Sequence, residues 1–195
     1  MNQIRDGLSQ KFHVYDDSIL DRVMAAGKLI TVKKGEFLST WHNPFLDIGF
    51  LISGLFRGFV LDENGEEHTD CIPKTYLDPL TTKPDFQNPL PINYQALEDS
   101  TIFVIPMDLA IQITQENPAI MQAINEIIIQ SFNQHWQIKQ VLYQLKGIDK
   151  YRWFLENHGD LINRRPLEHI ASYLGITPVS LSRFRKQIRE ENGEI

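Results

Sequence analysis

The stretch from Pro166 to Ile188, Pro-Leu-Glu-His-Ile-Ala-Ser-Tyr-Leu-Gly-Ile-Thr-Pro-Val-Ser-Leu-Ser-Arg-Phe-Arg-Lys-Gln-Ile, constrains the fold more than any other part of the chain. Leu167, Ile170, Ala171 and Leu174 recur at helical spacing, and Gly175 then turns the chain without a side-chain penalty. Thr177 is a good N-cap and Pro178 suits the first helical position, so a second helix is predicted there with Leu181, Phe184 and Ile188 inward. Left outward are Val179, Ser180, Ser182, Arg183 and Lys186. Ala171 supplies the small residue that two steeply crossing backbones need. This is helix-turn-helix grammar, in which the second helix enters the major groove of DNA, with Thr177 and Pro178 at its leading end. The plainer alternative is one corner of an ordinary helical core.

Charge supports the first reading only once it is divided along the chain. The net charge is −6. From Met1 to Leu145 there are 10 Lys+Arg against 18 Asp+Glu, whereas Lys146 to Ile195 holds 9 against 7, a local excess of +2. That excess is modest, so phosphate attraction is expected to be weak for one copy and to gain from two. Arg164 and Arg165, just ahead of Pro166, are further candidate phosphate contacts.

Asp16-Asp17-Ser18 followed by Ile19, Leu20, Val23 and Met24 predicts a capped helix ending near Gly27. Short β-rich runs follow: Leu29–Val32, Phe37–Leu38, Ile48–Ile52, Leu55–Leu61, Glu67–Ile72, Ile92–Leu97 and Thr101–Ile105. Asn64-Gly65 between two of them is the sharpest hairpin cue. Many short, closely spaced strands predict an antiparallel barrel or jelly roll. The segment Pro73 to Pro91, with five prolines including Pro79, Pro84 and Pro89 and no glycine, reads as an irregular insertion.

A roll of this size can hold a ligand, yet the sequence argues against a phosphate. No arginine stands between Arg57 and Arg152, and Lys74 and Lys83 are better read as surface lysines. His42, His68, Asp70 and Cys71 do not have ligand spacing, so no metal is expected. The single cysteine excludes both an intramolecular disulfide and an iron–sulfur cluster. No cofactor and no catalytic group are expected, and a cupin-like enzyme would need several converging ligands. With no secretory signal and no run long enough to span a membrane, a cytosolic protein is expected.

From Met107 to Leu145 the chain reads as helix, restarted at Asn117-Pro118. Ile120, Ile124, Ile127, Ser131, Gln134, Ile138, Val141 and Leu145 form a heptad seam, and Ile128, Ile129, Phe132, Trp136 and Leu142 form a second apolar face. Two faces imply two neighbours. The seam is assigned to a partner helix in a parallel homodimer and the second face to the roll. Gly147 stands where a hinge or a helix C-cap would fit. Lys150 to Leu155 opens a third helix of the C-terminal region, which closes at Asn157-His158-Gly159.

With roll, long helix and motif in this order, the chain resembles the Crp/Fnr superfamily of bacterial transcription regulators. The resemblance is carried by His169-Ile-Ala-Ser-Tyr-Leu-Gly-Ile-Thr-Pro-Val-Ser-Leu-Ser-Arg183, Val32-Lys-Lys-Gly-Glu36 and Ile52-Ser-Gly-Leu-Phe-Arg57. It implies an α+β fold: a cyclic-nucleotide-binding-like jelly roll over 1–117, a dimerisation helix over 118–146 and a (winged) helix-turn-helix over 147–195. By the same resemblance Ser180 would contact a phosphate and Arg183 a guanine edge, with double-stranded DNA, a second copy and RNA polymerase as partners. Pro178 and Val179 replace the Arg and Glu of well-studied members, so a different operator is expected. The Gly-Glu pair and the Arg-Ala-Ser/Thr run of nucleotide-binding members do not occur between Pro73 and Leu97, so cyclic-nucleotide control is not carried over. Glu191 to Ile195 leaves room for one short strand of a wing. The competing readings are a small-molecule- or metal-binding roll and an interaction module without DNA binding.

Overall fold

A computed structural model describes residues 1–83, 87–162, 164, 167–191 and 193 of the chain. Pro84, Arg165, Pro166 and most of the expected wing strand (Asn192, Glu194 and Ile195) lie outside the described residues. The chain forms two compact units, Met1–Val60 with Ile72–Ser131, and Leu61–Cys71 with Phe132–Ile195.

The first unit opens with helices α1 (Asn2–Phe12) and α2 (Asp17–Ala26). Asp16 caps α2 as its sequence promised, accepting the backbone N–H groups of Ser18 (2.9 Å) and Ile19 (3.3 Å). Helix α1 was not expected. Its polar residues conceal a buried stripe, Ile4, Leu8 and Phe12, spaced by single helical turns.

The strands are β1 (Lys28–Val32), β2 (Phe37–Ser39), β3 (Ile48–Ser53), β4 (Phe56–Leu61), β5 (Glu67–Cys71), β6 (Pro79–Leu80), β7 (Asn93–Ala96) and β8 (Ser100–Ile105). One antiparallel sheet runs β1-β8-β3-β6, and in the other β7 pairs with both β2 and β4. Strand β6 falls inside the proline-rich segment. It is an edge strand, the place in a sheet where Pro79 withholds no needed donor, and it brings Leu80 opposite Gly49. Helix α3 (Met107–Glu116) and the first half of α4 (Pro118–Gln144) complete this unit. Its core joins Leu8, Phe12, Leu20, Phe50, Phe103 and Ile113 to Ile120 and Ala123 of α4, with Ile124 and Ile127 packed against them.

The second unit holds β5, the second half of α4, α5 (Gly147–His158), a short 3-10 turn (Gly159–Leu161), α6 (Leu167–Tyr173) and α7 (Pro178–Glu191). Phe154, Leu161, Ile170, Ala171, Leu174 and Leu181 are fully buried in it.

Gly147 is not a C-cap. It begins α5, where a Cβ would stand 2.7 Å from the ring of Phe184 on α7, so this glycine permits the close approach of the two helices.

Helix α4 has the two apolar faces expected of it, but the face expected to meet a partner is the one the chain itself covers. Ile120, Ile138 and Val141, expected on the partner-facing seam, are buried within the chain itself, and Ile124 and Ile127 are half-buried. Of that seam only Gln134 and Leu145 are exposed. The outward apolar side chains are Met121, Ile128, Ile129, Phe132, Trp136 and Tyr143. A heptad of aliphatic residues describes a helix lying on its own domain as well as one lying on a twin. The larger aromatic residues of the other face are the ones left in water.

Candidate nucleic-acid interface

The turn between α6 and α7 is built from backbone hydrogen bonds. The N–H of Ile176 donates to the carbonyl of Ala171 (3.0 Å) and that of Gly175 to Ser172 (3.1 Å), which closes α6 with a Schellman motif. Gly175 has φ +59°, the left-handed region, and a Cβ there would stand 3.2 Å from Leu142. Gly175→Ala is expected to cost about 1–2 kcal/mol, read as a lower denaturant midpoint, with Gly175→Asn losing less because asparagine tolerates this conformation.

Thr177 caps α7. Its Oγ1 accepts the backbone N–H of Ser180 (3.1 Å), and its hydroxyl donates to Ser180 Oγ (3.0 Å). Leu181 and Ile188 point into the core, as the spacing required. On the other side Thr177, Pro178, Val179, Ser182, Arg183 and Lys186 are exposed and Ser180 is half-buried. Val179 is 80% exposed. Arg189 is also exposed on α7 and escaped the sequence reading, although its spacing from Arg183 and Lys186 was visible.

The cations of this unit are not equivalent. Arg152 donates to Glu191 (2.7 Å) and Asp149 (3.2 Å), an arrangement that holds the Glu191 carboxyl below its ordinary range and joins α5 to α7. It is a structural arginine. Lys186 meets Glu190 only loosely, at 3.6 Å with its side chain 80% exposed. The Arg183 guanidinium lies 5.3 Å from the Phe184 ring centre, within cation–π range. Arg164 is exposed after the 3-10 turn.

The hairpin leading into β5 belongs to the same unit. Asp62 Oδ1 accepts the backbone N–H groups of Glu66 and Asn64, both at 2.9 Å. These bonds, the one from Glu66 first, and His68 keep the Asp62 carboxyl below its usual range. Strand β5 then meets α6 through Ser172, whose Oγ accepts the N–H of Thr69 (2.9 Å) and donates to the carbonyl of Glu67 (3.0 Å). His135 of α4 lies 3.0 Å from Asp70 beside it. No local sequence pattern announces a serine that serves a strand so distant in the chain. Ser172→Ala is expected to leave the buried Thr69 amide without its acceptor, costing about 1–2 kcal/mol and raising hydrogen exchange at that amide.

Of the four residues weighed as metal ligands, His42 packs at a tilt against Trp41, His68 faces Asp62 and Asp70 faces His135. Asp62, Glu66 and His68 do bring ligand atoms within 4.8 Å of one another on the exposed hairpin. In the roll, Arg57 is only 4% exposed, with Nε and one terminal nitrogen donating to Gln95 (2.9 and 2.7 Å) and its guanidinium over Phe59.

With an antiparallel β-roll, a long helix and a helix-turn-helix with a glycine-closed corner, the chain is similar in fold to solved regulators of the Crp/Fnr family. In sequence the chain is 22% identical to the transcriptional activator protein Anr of Pseudomonas aeruginosa, over 93% of this chain and 78% of that protein. No family model matches it. In fold it is similar to FixK2 from Bradyrhizobium japonicum, with a TM-score of 0.77 at 13% identity over 85% of this chain and 86% of that one. A Crp/Fnr-family regulator from Eubacterium rectale gives 0.69 at 18% identity over 90% and 84%. A CooA mutant from Carboxydothermus hydrogenoformans gives 0.68 at 19% over 87% and 79%. Likeness at these identities carries the fold. Among the described residues no helix is long and apolar enough to cross a membrane.

Proposed function

We propose that this protein is a cytosolic transcription regulator of Crp/Fnr type that binds a two-fold symmetric DNA site as a homodimer, without enzymatic activity. The observation that carries the reading is the outer face of α7. It is held at both ends by backbone and cap hydrogen bonds, buried through Leu181 and Ile188, and leaves Val179, Ser182, Arg183, Lys186 and Arg189 unburied. Val179 suits apolar contact with a thymine methyl, Arg183 the acceptor pair of guanine, and Ser180, Lys186 and Arg164 the phosphates; Arg165 is included with them from its sequence position.

Two copies are needed because one such face carries few cations. The exposed stripe Met121, Ile128, Phe132, Trp136 and Tyr143 follows one side of α4 in steps of a helical turn or two, with Asn125 and Lys139 as its polar positions. Isolated exposed apolar residues are ordinary on a surface, but a stripe that aligns Met121, Ile128, Phe132, Trp136 and Tyr143 has the aromatic and methionine content of an interface core. Polar residues within such a seam fix its register. In this reading residues 1–117 are the sensor roll, α4 the dimerisation helix and 147–195 the DNA-binding domain. Cyclic-nucleotide control is left out, because Gln95 and Phe59 already engage the buried Arg57.

The test is a titration of a labelled duplex pool by the purified protein at two salt concentrations. Binding that weakens steeply as salt rises supports the reading. No binding at the lower salt concentration sinks it.

A further inference from the structure

Within the first unit lies a partly open apolar pocket of about 100 Å³ where α1, α2, β3, β8, α3 and the first half of α4 converge. Leu8, Phe12, Phe50, Ile113, Ala123 and Ile127 are among its walls. The one polar side chain that lines it is Thr114, and that hydroxyl already donates to the carbonyl of Ala110 at 2.7 Å. An ordered water held there would want two to four polar partners, and the side chains of its walls offer none that is unengaged. An engineered apolar cavity of about 150 Å³ takes up benzene or xenon, and this one is about two-thirds as large.

We propose that this cavity is a binding site for a small uncharged apolar molecule, of the size of xenon, a short alkane or a compact ring. A carboxylate, a phosphate or a hydroxyl-rich ligand would lose its water without replacement there. Shape and chemistry therefore select for apolarity and small size together. The site also touches the helix that matters. Ile120, Ala123, Ile124 and Ile127 line it, on the face of α4 next to the one that carries Met121 and Ile128. A molecule bound there bears directly on the packing of α4. The regulatory consequence rests on the proposed dimer, whereas binding itself does not.

Xenon titration of the full chain, followed by xenon NMR in the absence of DNA, tests the site. Saturable binding is expected, with affinity reduced about tenfold or more in Ala123→Leu, whose side chain occupies the space. Ala110→Val, on another wall, is expected to weaken binding in the same direction and carries the test should Ala123→Leu fail to fold. A xenon response to folded protein that does not saturate overturns the proposal, as does affinity unchanged in a folded cavity-filling variant. Because DNA is absent, failure here leaves the DNA-binding reading where it stood.

Discussion

Replacing Phe132 and Trp136 together by aspartate is expected to give a folded monomer that binds its DNA site about a hundredfold or more weaker. Both side chains are exposed in the single chain, at 65% and 51%, so the change removes nothing from the chain's own core. In the proposed dimer the same positions meet across a two-fold axis. Four carboxylates would then lose water in an apolar seam to which each copy brings one cation, Lys139, two against four. Losing the pair also removes the advantage of a tethered second reader, whose effective concentration is in the millimolar range. Sedimentation equilibrium reads the assembly and duplex titration reads the affinity. Ile138→Asp is the informative contrast: Ile138 is 7% exposed, so that variant should lose its fold rather than its partner. A double variant that remains dimeric would place the interface elsewhere.

Arg183→Ala is expected to cost about 1–3 kcal/mol at the best site, a loss of roughly 5- to 150-fold, and to relax base preference at one position of each half-site. The loss should fall mainly on preferred sequences, because a bidentate contact to a base edge discriminates where a phosphate contact does not. Lys186→Ala is the comparison. Its loosely paired ammonium on the same face should contribute about equally to all duplexes, and its removal should lower the salt slope by about one. Equal losses on every sequence for Arg183→Ala would demote it to a phosphate contact.

Much of this architecture was legible in the chain because local chemistry fixes it. Asp16 and Thr177 cap the helices that follow them, Gly175 closes α6 and Asn64-Gly65 turns the hairpin. Each is decided within a few residues. The roll emerged from its run of short β-rich segments for the same reason. What stayed hidden depends on distant neighbours. The two residues of β6 are too few to show a period, and α1 has only three buried side chains among polar ones. Ser172 looks like any helical serine until β5 arrives beside it. On α4 both stripes were visible, yet periodicity states that a face is apolar and not who covers it. Knowing which face the chain itself covers needed the positions of Phe12, Phe50 and Ile113 in the first unit, which gather the Ile120 side of the helix into their core.

The central claim is that paired α7 helices read two half-sites through their outer faces. Selection of duplexes from a randomised pool, at a fixed salt concentration, measures this most directly. The claim predicts an inverted repeat whose half-site centres stand about 34–36 Å apart, one turn of DNA. Recovery of a single unpaired half-site, or of no sequence above the starting pool, would contradict it.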